Sequence, residues 1–234
     1  MLDLFNVGFV GAAGAGSGEW DYDDDFSTDK GWITAATGNQ IDTANSQLDF
    51  QLTRTNVFQG LYIATNDADV FGANFSDTAY IIRFHALNYS SINTSYSYNP
   101  FLTAQKNGGY DSESSSDEAL SSWCMPTPTY TDRFGSMTNE NGTRTNDTPA
   151  HSWSAGVDYY IENIRNSATE MRSTRSSSDL FNADQADITL PVPSTINDLK
   201  NITIMCDYAG SASTRTNIGT IDRIQAMKNV NTAP

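Results

Sequence analysis

Val157 to Asn166 reads VDYYIENIRN, and Ala168 to Ser178, Leu199 to Tyr208 (LKNITIMCDY) and Gly219 to Ile224 (GTIDRI) follow it in the same style. In the first segment Val157, Tyr159, Ile161 and, after one slip, Ile164 alternate with polar neighbours, the period-two mark of a strand buried on one face. The four segments read as strand, hairpin, strand and strand. Packed antiparallel sheets reward such alternation, so the last third of the chain predicts an all-β sandwich.

Upstream, Leu48 to Arg54 (LDFQLTR) alternates with Leu48, Phe50 and Leu52 inward. Gly60 to Thr65 (GLYIAT) follows after five residues as its expected hairpin partner. Tyr80 to Leu87 (YIIRFHAL) is a candidate central strand. From Asn88 to Pro149 the pattern weakens into Ser, Asn, Tyr and Gly, and Asp111 to Glu118 (DSESSSDE) reads as a surface loop or insertion. Ile188 to Val192 (ITLPV) carries a proline suited to an edge or a strand end. No long-period repeat is visible, which excludes solenoids and propellers.

The 234 residues divide into two units. Residues 19–234 have the length of one β-sandwich domain, since such domains often run to about 200 to 250 residues. Residues 1–18 are an apolar stretch, Met1 to Val10, followed by a small-residue tether, GAAGAGSG. Leu4, Phe5, Phe9 and Val10 are expected to act as an assembly arm on a partner subunit or a trimer mate, or else to add an edge strand to their own sheet. A secretory signal would begin with a basic region, and no Lys or Arg occurs before Lys30.

The formal net charge is -15, from 28 acidic against 13 basic residues. That balance excludes a nucleic-acid partner, whose phosphates need a basic footprint, and disfavours anionic membranes. No apolar run reaches the roughly 18 to 20 residues of a membrane span. Cys124 and Cys206 are the only cysteines, so no disulfide framework or multi-cysteine zinc motif exists. Their apolar and aromatic neighbours favour two buried thiols over a bridge.

Taken in order, DDDFSTDKGW (Asp23 to Trp32), LDFQLTR, VDYYIENIRNSAT, TINDLKNITIM (from Thr195) and GTIDRI resemble the concanavalin A-like, laminin G-like jelly rolls. The versions most similar are those on virion structural proteins of tailed viruses and on secreted microbial surface proteins. The resemblance covers roughly Asp21 to Val230 and is a pattern of strand types. It implies two antiparallel sheets packed face to face, with first and last strands adjacent. It also implies a structural calcium near Asp23, Asp24 or Asp25 and Asp222, because a hard cation wants clustered oxygens.

Catalysis is not expected. Two-carboxylate glucanases carry Glu-x-Asp-x-x-Glu on one strand face; the nearest match, Glu19, Asp21 and Asp24, reads as a solvated acidic entry to the first strand. His85 reads as a satisfied strand histidine and His151 lies in a loop, and neither has a Gly-x-Ser-x-Gly elbow or a zinc spacing. Tyr89, Tyr96 and Tyr98, interleaved with Ser, Asn and Thr, and Trp123 with Tyr130, have the composition of a glycan-binding loop. They fit an oligomer interface or ordinary core positions as well.

The sequence therefore predicts a non-enzymatic virion structural protein, such as a capsid decoration, fibre or tail component, working at the virion surface. Its expected partners are other virion proteins, further copies of itself and a cell-surface glycan. A secreted, extracellular lectin-like domain is the alternative, and a glycoside hydrolase of this fold the third reading.

Overall fold

The computed structural model describes residues 20–34, 40–54, 60–64, 79–92, 96–103, 119–125, 133–140, 143–146, 151–177, 186–196, 201–207 and 215–228. Every regular element among them is a strand. The first sheet has the order β14 (Ala186–Pro191), β13 (Glu170–Ser176), β12 (Tyr159–Ser167), β6 (Tyr80–Ile92), β16 (Arg215–Lys228), β4 (Gln47–Arg54), β3 (Gln40–Asp42). β1 (Tyr22–Asp24) pairs with the end of β16 beyond β4. The second sheet runs β10 (Thr143–Asn146), β9 (Arg133–Glu140), β8 (Ala119–Met125), β7 (Tyr96–Thr103), β15 (Asn201–Asp207), β5 (Gly60–Ala64), β2 (Ile33–Thr34), with β11 (His151–Ser152) also on β9. All pairings described are antiparallel.

The sheets bury one core. β6 contributes Tyr80, Ile82, Phe84 and Ala86; β12 adds Tyr159 and Ile161; β4 adds Leu48 and Phe50; β16 adds Ile221, Ile224 and Ala226. Facing them are Leu120, Phe134, Ile202 and Ile204 of the second sheet, with Trp153 fully buried between. The alternation read in the sequence is thus real, and the first and last strands are neighbours as the resemblance implies. Pro191 ends the edge strand β14, where its missing N–H costs no ladder bond.

Four sequence expectations are corrected. β4 and β5 are not a hairpin, because they belong to different sheets. VDYYIENIR contains no slip. β12 pairs with β6 in continuous register from Tyr159 to Arg165, which gives Asn163 and Arg165 the inward parity and leaves Ile164, also buried, beside Ile81 on the outer face. Val157 precedes the strand and is exposed. The stretch from Asn88 to Pro149, expected to be irregular, supplies the end of β6 and strands β7 to β10. These strands are polar because sandwich strands bury one face only.

Two buried arginines at inward positions are tied to backbone carbonyls. Arg165 Nη2 donates to the carbonyls of Ala168 and Ile196, both at 2.9 Å, holding the β12–β13 turn against the segment after β14. Arg175 donates to the Ser152 carbonyl, linking β13 to β11 across the sandwich.

Cys124 and Cys206 both pair with Ser97 of the intervening strand β7. Two strand spacings separate their Cα atoms by about 10 Å, beyond the roughly 7 Å a disulfide spans. Register therefore keeps them unbridged.

Gly219 of β16 sits where Tyr89 and Phe50 meet edge to face, with ring centroids 5.1 Å apart. A Cβ there would lie 2.5 Å from Tyr89 Cδ1 and 2.7 Å from Phe50 Cζ. Gly219→Ala is expected to destabilise the domain by about 1 to 3 kcal/mol through overpacking, read as a lower midpoint in urea with an unchanged slope.

Candidate functional site

The three consecutive aspartates of β1 separate by strand parity. Asp24 points inward and is fully buried. Its Oδ2 accepts from the Tyr22 hydroxyl at 2.7 Å and from Trp32 Nε1 at 2.9 Å, and its Oδ1 accepts from the Phe26 amide at 2.9 Å. That last bond holds Phe26 in a left-handed turn (φ 56°) that brings its ring into the core. Asp23 points outward to Arg223, whose Nε and Nη2 reach its two oxygens at 2.8 and 2.6 Å, and accepts from Gln225 at 3.1 Å. Asp25 caps Ser27, whose hydroxyl and amide hold its carboxyl below the usual range.

Asp24, Asp25 and Asp222 are accordingly not gathered around one point. Each turns to a different partner, and no group of three or more His, Cys, Asp or Glu suited to a metal occurs among the described residues. Asp24 is not part of a solvated acidic entry either. It is the anchor of the motif DDDFSTDKGW, and the signal for it was the ring of Tyr22, Phe26 and Trp32 around one carboxylate.

The outer face of the first sheet holds the larger cluster of polar chemistry. In β6 the residues alternating with the core are Ile81, Arg83 and His85. Register places Thr174, Glu162, Arg83, Gln225 and Asp23 in one row across β13, β12, β6, β16 and β1. Ser176, Tyr160, His85 and Arg223 form the next row. Arg83 Nε donates to Glu162, a pair whose side chains are 8 and 9% exposed. Burial pulls the Arg83 guanidinium below its ordinary range and Glu162 opposes that pull. His85 lies flat against Tyr160, centroids 4.1 Å apart and 6° from parallel. Its Nδ1 is 3.0 Å from Asp222 Oδ1, and because a carboxylate only accepts, that nitrogen carries the proton.

Asp222 reaches this face because of a bulge. The β16 register with β6 shifts between Ile221 and Arg223. One extra residue lets Ile221 and Ile224 both stay in the core while Asp222 and Arg223 both take outer-face partners. The spacing I-D-R-I carried that signal, since period two cannot place both isoleucines inward.

Of the expected aromatic binding residues, Tyr89 is corrected. It is 1% exposed, packed on Phe50 and Trp153 as a core residue. Tyr96, Tyr98 and Trp123 lie in strands β7 and β8 of the second sheet, with Tyr98 opposite Trp123, and their side chains fall outside the described set. Tyr130, Glu19 and the arm residues Leu4, Phe5, Phe9 and Val10 also lie outside the described residues. Asp21 is exposed ahead of β1 while Asp24 is buried, so those two share no common catalytic face. Sequence reading missed Arg83, Glu162, Tyr160 and Gln225, whose outer-face role depends on pairings between distant strands.

No protein-family model matches the chain and no curated protein matches it in sequence. Solved structures share its fold. A seed lectin of Lotus tetragonolobus superposes with TM-score 0.56 at 11% identity, covering 91% of this chain and 99% of the lectin. A protein of unknown function from Shewanella oneidensis MR-1 gives 0.57 at 9% identity, over 89% of this chain and 82% of that one. A GH43 protein from Bacillus licheniformis gives 0.55 at 10% identity over 91% of this chain, which spans only 40% of that longer protein. The chain thus has the concanavalin A-like jelly-roll fold. A fold carried by a lectin and by a GH43 protein does not itself separate binding from catalysis.

Two outcomes follow. Removing Glu162 alone leaves a buried guanidinium uncompensated, so Glu162→Leu should cost about 3 to 5 kcal/mol, whereas Arg83→Met with Glu162→Leu should melt close to wild type; thermal denaturation of the three proteins checks this. Burial first, and then Asp24, push the Tyr22 hydroxyl above the ordinary tyrosine range. A folded-state value raised this way gives stability that is full below the unfolded value of about 10 and is lost as pH rises beyond it. Alkaline denaturation should therefore steepen above that pH and flatten in Tyr22→Phe.

Proposed function

We propose that the chain is a non-enzymatic carbohydrate-binding domain that reads its ligand on the outer face of the first sheet. In this reading it serves adhesion and assembly at the surface of a virion, in company with further copies of itself; the same chemistry would serve a secreted domain. The observation that carries the reading is the juxtaposition on one face of fixed polar groups and a partly exposed, rigid aromatic. Tyr160 is held flat on His85, and Arg83, Glu162, Arg223 and Asp23 are locked in pairs around it.

Sugar recognition needs these elements together: a ring face to stack on and short, oriented donors and acceptors for hydroxyls. Preorganisation by the ion pairs lowers the ordering cost of binding. Arg83 with Glu162 and Arg223 with Asp23 each form a pair without net charge, and a chain of net charge -15 repels polyanionic glycans, so the ligand in this reading is a neutral sugar. Beside Tyr160 and Arg83, the carboxylates Asp23, Glu162 and Asp222 each lie against a basic side chain, Arg223, Arg83 and His85, while Asp49 on the same face accepts from Thr220 and Gln47. Two-carboxylate hydrolysis instead uses one carboxyl to protonate the leaving oxygen and the other to attack or to activate water. The lectin of the same fold supports the reading as an analogy of architecture.

The full chain should bind neutral hexo-oligosaccharides such as cellohexaose, maltohexaose or mannohexaose by isothermal titration without cleaving them. Tyr160→Ala should weaken binding about tenfold, the worth of one aromatic stack, in a protein that still unfolds cooperatively at a somewhat lower temperature, since the stack on His85 is lost as well. Absence of binding to any neutral sugar, or binding indifferent to Tyr160→Ala, would refute it.

A further inference from the structure

Trp20, at the approach to β1, places its indole 5.2 Å from the Arg83 guanidinium, two strands away on β6. β16 lies between, and its residue in that row is Gln225, paired with Asp23 on one side and Arg83 on the other. Gln225 is fully buried although it lies on the face of the sheet turned away from the core. Its Nε2 is used by Asp23, but its Oε1 has no hydrogen-bond partner. On the far side of the Arg83–Glu162 pair Thr174, followed in the row by Asp187 of β14, is 1% exposed and its hydroxyl has no hydrogen-bond partner either. Buried polar atoms are almost always satisfied, so two orphans flanking one ion pair in one row call for an explanation.

We propose that the row of Thr174, Glu162, Arg83 and Gln225 is a hydroxyl-reading subsite for a neutral oligosaccharide, and that Trp20 is the displaceable cover of its Arg83 end. This rests on the carbohydrate-binding reading above. With the indole withdrawn, a hydroxyl of one pyranose unit donates to Gln225 Oε1, and a hydroxyl of a neighbouring unit pairs with Thr174 Oγ1, three strand spacings or about 14 Å along the row. The ring's C–H face then takes the place of the indole over the Arg83–Glu162 pair. Trp20 is suited to the role. It is partly exposed, and it precedes the pairing of β1, so it can turn outward without breaking a ladder bond. The cover keeps the guanidinium stacked while no ligand is bound. Such an occupant lowers apparent affinity by the fraction of molecules that are uncovered.

The test is titration of cellohexaose, maltohexaose and mannohexaose into wild type, Trp20→Ala, and Trp20→Ala with Gln225→Met, with melting curves for each. If the covered state holds about nine-tenths of the molecules, Trp20→Ala raises affinity about tenfold, and adding Gln225→Met removes that gain. In the wild type, iodide should quench indole emission more strongly when sugar saturates the protein, because Trp20 moves into solvent; this readout stands even if Trp20→Ala folds poorly. Sugar binding that Trp20→Ala weakens or leaves unchanged, or quenching that falls on binding, overturns the cover while leaving the carbohydrate-binding reading in place. Failure of every protein to bind any of the three sugars overturns both.

Discussion

The ladder between β6 and β16 is the constraint on which the rest of the molecule depends. It runs from Tyr80 and Lys228 at one end to Ile92 and Thr216 at the other, and it joins the β12–β13–β14 half of the first sheet to β4, β3 and β1. One parity of the two strands builds the core, through Ile82, Phe84, Ile224 and Ala226; the other parity builds the polar face, through Arg83, His85, Arg223 and Gln225. A shift of one residue would exchange those sets and bury two guanidinium groups among isoleucines. The bulge at Asp222 makes the register compatible with both, because it absorbs the one residue by which the inward pattern and the outward pattern differ.

That polar face is costly as architecture. Buried ion pairs roughly break even against apolar residues of the same size, and orphaned polar atoms are a net loss. A sandwich that needed only stability would surface this face with exposed polar residues or cover it with apolar ones. On the proposed reading, that cost is borne for recognition by Arg83, Glu162, His85, Tyr160 and Gln225 in two adjacent rows. Arg165 and Asp24, at inward positions, have partners that fix turns.

The fold was largely legible in the sequence because alternation is a local property. Leu48 with Phe50, and Tyr159 with Ile161, announce their inward face within a few residues, and the proline in ITLPV announces an edge. What failed was everything that depends on which strands meet. LDFQLTR and GLYIAT are adjacent in the chain yet lie in opposite sheets. Tyr89 sits in a polar, aromatic stretch but packs on Phe50 because Gly219, far away in sequence, leaves it room. The candidate site was hardly legible at all. Arg83 and His85 were visible only as polar positions in a central strand, and their partners Glu162 and Asp222 are supplied by two other strands. Asp24 was noticed for its charge, whereas its role comes from burial beside Tyr22 and Trp32.

The central claim is that the outer face of the first sheet, and not the second sheet or the rim loops, receives a carbohydrate. Backbone amide chemical-shift mapping of the full chain during titration with a neutral hexo-oligosaccharide tests it most directly. The account predicts that the largest changes cluster at Arg83 to His85, Tyr160 to Glu162 and Asp222 to Gln225. Changes centred on β7 and β8 around Tyr98 and Trp123, with the first sheet silent, would contradict it.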